Sequence, residues 1–287
     1  MPSVSVVVPV HNGADALPSL LAALAGQTGV EPFELVVVDN NSSDGTAAVA
    51  SGSPVVTRVV TEPVPGSYAA RNAGWRSCGG DVVAFTDADC TPDPGWLSAL
   101  VDAVLAGADL AGGAVVPGPP PPGPWAALWA AYDRAMYLDQ ADNVQVDGFA
   151  ATANVAVRRA VLEELGGFDA TLKSGGDAYF GHRAVAAGHR LVWVPEAVVL
   201  HAPRASLRAT WALWRRLGRG YSDLAQRGQW PVPLRRDPVL RRPLSEVVER
   251  AAERHVETSR LGMGTAHLLA RVAVLRGRLD APGRPVL

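Results

Sequence analysis

The sequence has little cysteine, almost no lysine and no long apolar run. Cys78 and Cys90 are too few for a disulfide framework, and they form no CxxC pair of the kind that suggests zinc. No stretch of about 18 uncharged apolar residues occurs. The start "MPSVSVVVPVHNG" lacks the basic beginning of a signal peptide, so the expectation is a cytoplasmic protein without a membrane span. Lys173 is the only lysine among 26 basic residues, an arginine bias that goes with the many alanines and glycines of a GC-rich genome.

What is present is enough apolar material for a substantial core, 48% of 287 residues, which excludes a largely disordered chain. The net charge of −2 hides an asymmetry: residues 1–200 carry 9 basic and 21 acidic side chains, and residues 201–287 carry 17 and 7. The last part therefore reads as a separate functional zone.

The first half alternates between strand and helix patterns. "SVSVVVPV" (3–10) is a β-branched run of the kind found in buried parallel strands, and "ALPSLLAALAGQ" (16–27) has helical spacing. "FELVVVDN" (33–40) repeats the strand, and "SDGTAAVAS" (43–51) starts a helix capped by Ser or Asp. "VVTRVV" (55–60), the helical "GSYAARNAGWRSC" (66–78) and "DVVAFTDA" (81–88) continue the series. Such alternation predicts an α/β sheet with helices on both faces. In sheets of this kind ligands bind outside the carboxyl ends of the strands. His11 and Asn12, Asp39 to Ser43, and Asp87 to Asp89 each follow a strand, so these polar groups are expected to converge on one edge.

Farther along, "DLAGGAVVPG" (109–118) is followed by "PPPPGP", a stiff surface connection. "WAALWAAYDRAMYL" (125–138) reads as a helix, "ATANVAVRRAVLEELGGFD" (151–169) as a strand entering a helix that stops at Gly166, and "HRLVWVPEAVVLHAP" (189–203) as a strand pair. Residues 206–229 and 244–279 are Arg-rich and amphipathic at helical spacing, separated by the Pro-punctuated "QWPVPLRRDPVLRRP".

The blocks "VSVVVPVHNG", "FELVVVDNNSSDGT", "RNAG", "DVVAFTDADCTPDPGWL" and "GGFDATLKSGGDAYFGHRAVAAGHRLVWVPEAVVLH" occur in the order seen in family 2 glycosyltransferases, and residues 3–203 resemble that family. The resemblance implies the GT-A fold, a Rossmann-like three-layer α/β sandwich with a mostly parallel central sheet, followed here by a helical C-terminal extension. It implies a catalytic domain over 1–203, with 1–116 binding the nucleotide sugar and 117–203 carrying acceptor and catalytic groups, and an Arg-rich extension over 204–287. The reaction implied moves a sugar from a nucleotide-diphosphate sugar to an acceptor hydroxyl. A divalent cation, manganese or magnesium, neutralises the departing diphosphate, and hard oxygen ligands suit either ion.

By the same resemblance Asp87 faces the ribose and the metal's water shell, Asp89 is the direct metal ligand, and His201 completes the metal site as in a subset of such enzymes. Asp39 accepts a hydrogen bond from the nucleotide base, Pro9, His11 and Asn12 line the same pocket, and Arg71 lies near the base or diphosphate. Asp177 in "KSGGDAYF" matches the base that takes the acceptor proton in an inverting transfer. Each has a plainer alternative: a polar turn at Asp87 to Asp93, a turn start at Asp39, a strand-end cap at His201, a surface arginine at Arg71 and a helix cap at Asp177.

The sequence departs from the pattern twice. Gly176 stands where a glutamate usually precedes the base, and the Gln-x-x-Arg-Trp signature of polymerising relatives is missing, its region reading "WALWRRLGRGYSD". The second departure argues for one transfer per encounter. The first leaves a retaining transfer on the same fold as an alternative; a nucleotidyltransferase and a non-catalytic sugar-binding relative are further rivals. The first of these would need a Gly-rich phosphate loop with Arg and Lys near the N-terminus, and "PVHNGADALPS" has none.

Donor identity among UDP-, GDP- and dTDP-sugars is not written in these motifs, nor is the acceptor, a lipid-linked molecule or a small metabolite. Ten arginines between 204 and 242 accompany Trp211, Trp214 and Trp230. They suit peripheral contact with an anionic membrane at its inner face, and helix packing against the acidic part explains the same composition. No nucleic-acid recognition motif is present.

Overall fold

The run Val4–Val10 (β1) is buried along nearly its whole length, as a strand covered on both faces must be. The computed structural model describes residues 3–30, 32–136, 139–228, 238–253 and 259–280. Within these, β1 is joined by β2 (Glu34–Asp39), β3 (Arg58–Thr61), β4 (Val82–Thr86), β5 (Cys90–Pro92), β6 (Leu110–Pro117), β7 (Asn154–Arg158) and β8 (Leu191–His201). They form one sheet of order β3-β2-β1-β4-β7-β6-β8-β5. The helices are α1 (Leu17–Ala25), α2 (Thr46–Ser51), α3 (Ser67–Ser77), α4 (Trp96–Leu105), α5 (Pro124–Ala135), α6 (Gln140–Gln145), α7 (Arg159–Leu165), α8 (Gly176–Ala186), α9 (Leu207–Gln226), α10 (Pro238–Arg241), α11 (Leu244–Glu253) and α12 (Arg260–Leu279).

The sheet is mixed. β3, β2, β1 and β4 run parallel, whereas β7 pairs antiparallel with β4, β6 with β7, and β5 with β8. The expected parallel order holds as far as the strand–helix alternation does. It stops at β4, whose other neighbour, β7, runs antiparallel, while β5, only three residues after β4, lies at the far edge of the sheet beside β8.

The expected strand pair over 189–203 is a single strand, β8. Its ladder with β5 uses only Val199, Leu200 and His201, so Pro195, which has no N–H to give, takes no bond from it. Helix α2 starts at Thr46 without a side-chain cap on its N-cap residue, Gly45. Asp44 instead accepts from the Thr46 amide at 3.0 Å. Helix α7 ends at Gly166, left-handed at φ 72° as the sequence led us to expect.

The chain divides into two compact units. One comprises Met1–Val116, Asp139–Thr171 and Gly176–His201; the other comprises Pro117–Leu138, Leu172–Gly175 and Ala202–Leu287. Residues 117–138, expected in the acceptor half of the catalytic domain, thus belong with the C-terminal helices. The cause is apolar packing: Trp129, Tyr132 and Ala135 of α5 form one buried cluster with Trp214 of α9, Val247 of α11, and Met263, Ala266 and Ala270 of α12. Trp211 packs against the same cluster, so the Trp-bearing face of α9 is a core face within its own unit. Trp230 and residues 229–237 of the Pro-punctuated stretch lie outside the described residues. Among the described residues no helix is long and apolar enough to cross a membrane.

Candidate active site

Because β1, β2 and β4 are parallel, their carboxyl ends share one edge of the first unit. His11 and Asn12 follow β1, Asp39 ends β2, and Asp87 follows β4. Backbone geometry there is unusual: Asn12 and Asn41 have positive φ, 50° and 61°, a region that asparagine tolerates better than other non-glycine residues. The two loops are laced together. His11 Nδ1 lies 2.8 Å from the Asn40 carbonyl, the Asn12 amide donates to Ser42 Oγ at 2.9 Å, and Asn12 Oδ1 accepts from the Ser43 amide at 2.8 Å. Pro9, half-buried in β1, stands in register with Val38.

Asp39 is 8% exposed. Its Oδ1 accepts from the Ser42 amide at 3.0 Å, so it does start a turn while its carboxylate stays at the edge. Neighbouring Asn40, also buried, donates to the carbonyls of Glu62 and Val64 and accepts from the Gly66 amide, fixing the approach to α3.

Arg71 is not a surface arginine. Its side chain is 5% exposed and pairs with Asp87 Oδ1. Its Nε is buried without a hydrogen-bond partner. One turn earlier on α3, Tyr68 donates its hydroxyl to Asp177 Oδ1 at 3.2 Å, and the Arg71 guanidinium lies 5.7 Å from the Tyr68 ring centroid. The side chains Asp87, Arg71, Tyr68 and Asp177 therefore form a continuous chain of contacts. Asp177 is the second residue of α8, inside the first turn rather than at the cap. An acidic side chain is electrostatically favoured there.

On the other side of Asp87, β5 opposes the end of β8, with Cys90 and His201 in register. His201 Nε2 lies 3.6 Å from Asp89 Oδ2. Ligand atoms of Asp89, Cys90 and His201 all lie within 4.8 Å of one another. Cys90 is buried, and burial reinforced by the charges of Asp87 and Asp89 pushes its thiol up, which keeps it neutral.

All the sequence-derived site residues thus lie in the first unit. Tyr68 was missed, and the signal for it was its place three residues before Arg71 on one helix face. Asn40 was expected at this edge within Asp39 to Ser43, but its role as a staple to the loop 62–66 was not.

The sheet and its order are those of the GT-A fold, shared with solved glycosyltransferase structures. The model of the family "Glycosyl transferase family 2" matches residues 5–166, and the chain belongs to that family and is a glycosyltransferase. It is similar to glycosyltransferase AglE of Haloferax volcanii, 34% identical over 210 residues that cover 71% of this chain and 68% of that protein. It is also similar to a pre-mycofactocin glycosyltransferase of Mycobacterium tuberculosis, 32% identical over 215 residues, 71% of this chain and 44% of that one; the match thus spans less than half of the relative. Among solved structures, the mannosyltransferase PcManGT from Pyrobaculum calidifontis, in complex with GDP-Man and Mn2+, shares the fold with TM-score 0.57 and 24% identity, over 99% of this chain and 77% of that one.

Proposed function

We propose that this glycosyltransferase is metal-dependent, inverting and non-processive. The observation that carries the reading is the array in one unit: Asp39 and Asp87 at parallel strand ends, Asp89 beside His201, and Asp177 joined to Asp87 through Tyr68 and Arg71. Asp39, Pro9, His11 and Asn12 would hold the nucleoside. Arg71 and Asp87 would hold ribose and diphosphate. The buried Arg71 Nε lacks a partner, an unmade bond that costs about 1–3 kcal/mol and that a ribose or phosphate oxygen would complete.

The carboxylate of Asp89 fits manganese or magnesium, ions that take oxygen ligands, and the imidazole of His201, 3.6 Å away, would stand beside it as a nitrogen donor. When bound, such an ion supplies positive charge to the leaving diphosphate. Asp177 does the proton chemistry: it takes the acceptor hydroxyl proton while the acceptor oxygen bonds to the anomeric carbon. The bond from that carbon to the diphosphate oxygen breaks, and its electron pair leaves with the diphosphate. Donors to be considered are UDP-, GDP- and dTDP-sugars, and the mannosyltransferase bound to GDP-Man and Mn2+ supports including GDP-mannose. The acceptor is a lipid-linked molecule or a small metabolite, at the cytoplasmic side. The missing Gln-x-x-Arg-Trp signature supports transfer of one sugar per encounter.

The test is a panel of nucleotide sugars measured for binding with manganese and after chelation. Wild type is expected to bind one class only with metal. Asp89→Ala should weaken that binding by at least tenfold. Asp177→Asn should keep donor affinity and lose on the order of 100-fold or more in turnover. Absence of binding by any donor, or an Asp89→Ala enzyme as active as wild type, would sink the reading.

A further inference from the structure

Gly176, where the sequence leaves the pattern it resembles, is buried against Tyr68. A Cβ built there would stand 2.7 Å from Tyr68 Cε2 and 2.8 Å from its Cδ2 and Cζ, distances that carbon atoms do not adopt. Gly176 is not among the positive-φ glycines, so the requirement is for space alone. The space is taken by an aromatic ring that is itself fixed. Tyr68 is 6% exposed, stacks on Phe168 at 5.9 Å between centroids, and is approached by the Arg71 guanidinium.

Its hydroxyl meets Asp177 Oδ1, and the Ala178 amide meets the same oxygen at 3.0 Å. One carboxylate oxygen of Asp177 is thus loaded with two donors, and neither is directed to Oδ2. A carboxylate so held has lost its freedom to spin about its last bond. Burial, with the Asp177 charge adding, pushes the Tyr68 phenol up, so the hydroxyl stays protonated and acts as a donor.

We propose that Tyr68 is a positioning residue for the transfer reaction: it pins Asp177 Oδ1 so that Oδ2 faces the acceptor hydroxyl, and Gly176 is the vacancy that lets it reach. The inference rests on the reading of Asp177 as the base. It assigns to α3 a double task, since the same helix turn carries Arg71 to Asp87 on the donor side and Tyr68 to the base. Tyr68 touches neither reacting atom and acts only through Asp177.

The experiment compares wild type, Tyr68→Phe, Gly176→Ala, Asp177→Asn and the double variant Tyr68→Phe/Asp177→Asn. Turnover is followed as nucleoside diphosphate released from GDP-mannose, UDP-glucose and dTDP-rhamnose, with water as acceptor where no other is supplied. Affinity for donor with manganese is read by calorimetry. Phenylalanine keeps the ring and its contacts with Phe168 and Arg71. Tyr68→Phe is therefore expected to lower kcat roughly tenfold, the loss of about one hydrogen bond to a charged group, with donor affinity within twofold of wild type. The double variant should be no slower than Asp177→Asn, because both changes act on one group.

Gly176→Ala should lower kcat in the same way by displacing the ring, and it decides the matter if Tyr68→Phe does not fold. Wild-type kcat in Tyr68→Phe, with Asp177→Asn slow, would overturn the positioning role and leave the base intact. Wild-type kcat in Asp177→Asn, or no turnover by wild type with any donor, would overturn the parent reading and this one with it.

Discussion

His267 sits inside the second unit between two groups that fix its tautomer. Its Nε2 lies 2.8 Å from the Arg242 carbonyl, which can only accept, so that nitrogen carries the proton. Its Nδ1 then accepts from the Tyr132 hydroxyl at 3.1 Å. Burial holds His267 below its ordinary value of 6.5; the Arg242 carbonyl opposes this, and the charges of Arg271 and Arg242 reinforce it. The sign follows. As pH falls below 6.5 the unfolded chain takes up a proton that the folded chain refuses, so stability is lost on acidification. The melting temperature should be flat from pH 7.5 to 6.5 and decline toward pH 5.5. His267→Gln should remove most of that slope; an unchanged slope would show that other groups produce it.

The crossing of α9 and α12 is an element-scale feature built on small residues. A Cβ at Gly277 would come within 1.9 Å of the Arg215 carbonyl oxygen, and one at Gly218 within 2.2 Å of the Val274 carbonyl oxygen. Both obstacles are backbone, so the helices would have to part. Alanine improves helix propensity by ~1 kcal/mol, but overpacking of this kind costs about 1–3 kcal/mol or more. Gly277→Ala is thus expected to lower the denaturant midpoint, and a raised midpoint would contradict the close crossing.

The contrast with the sheet explains what could be read beforehand. β1, β2 and β4 announce themselves through runs of Val, and Asp39, Asp87 and Asp89 through their position where those runs end. β5 is three residues long inside what looks like a turn, and its strand character comes only from β8, far away in sequence. The Tyr68–Asp177 contact joins residues 109 positions apart, and no local pattern carries such information. Nor do amphipathic faces name their partners: Arg and Trp on α9 suit helix packing and, less well, a lipid surface, and only the place of α5 beside Trp214 gives the packing partner.

At the scale of the molecule, the second unit is assembled from Pro117–Leu138, Leu172–Gly175 and Ala202–Leu287. A chain ending at residue 203 keeps every expected site residue but strips α5 of its cluster, exposing Trp129 and Tyr132. Each ring forfeits on the order of 2–3 kcal/mol of burial. Such a fragment is expected to aggregate or to bind a hydrophobic dye, checked by light scattering and dye fluorescence. A monodisperse fragment melting like the full chain would contradict this account of unit 2. The same discontinuity acts on the ribosome. α5 emerges roughly 130 residues before α12 can cover it, a delay on the order of ten seconds at usual synthesis rates. During that interval a nascent chain carries a partly uncovered aromatic helix, which is expected to make its folding depend on how well that helix is shielded from other chains until α12 has emerged.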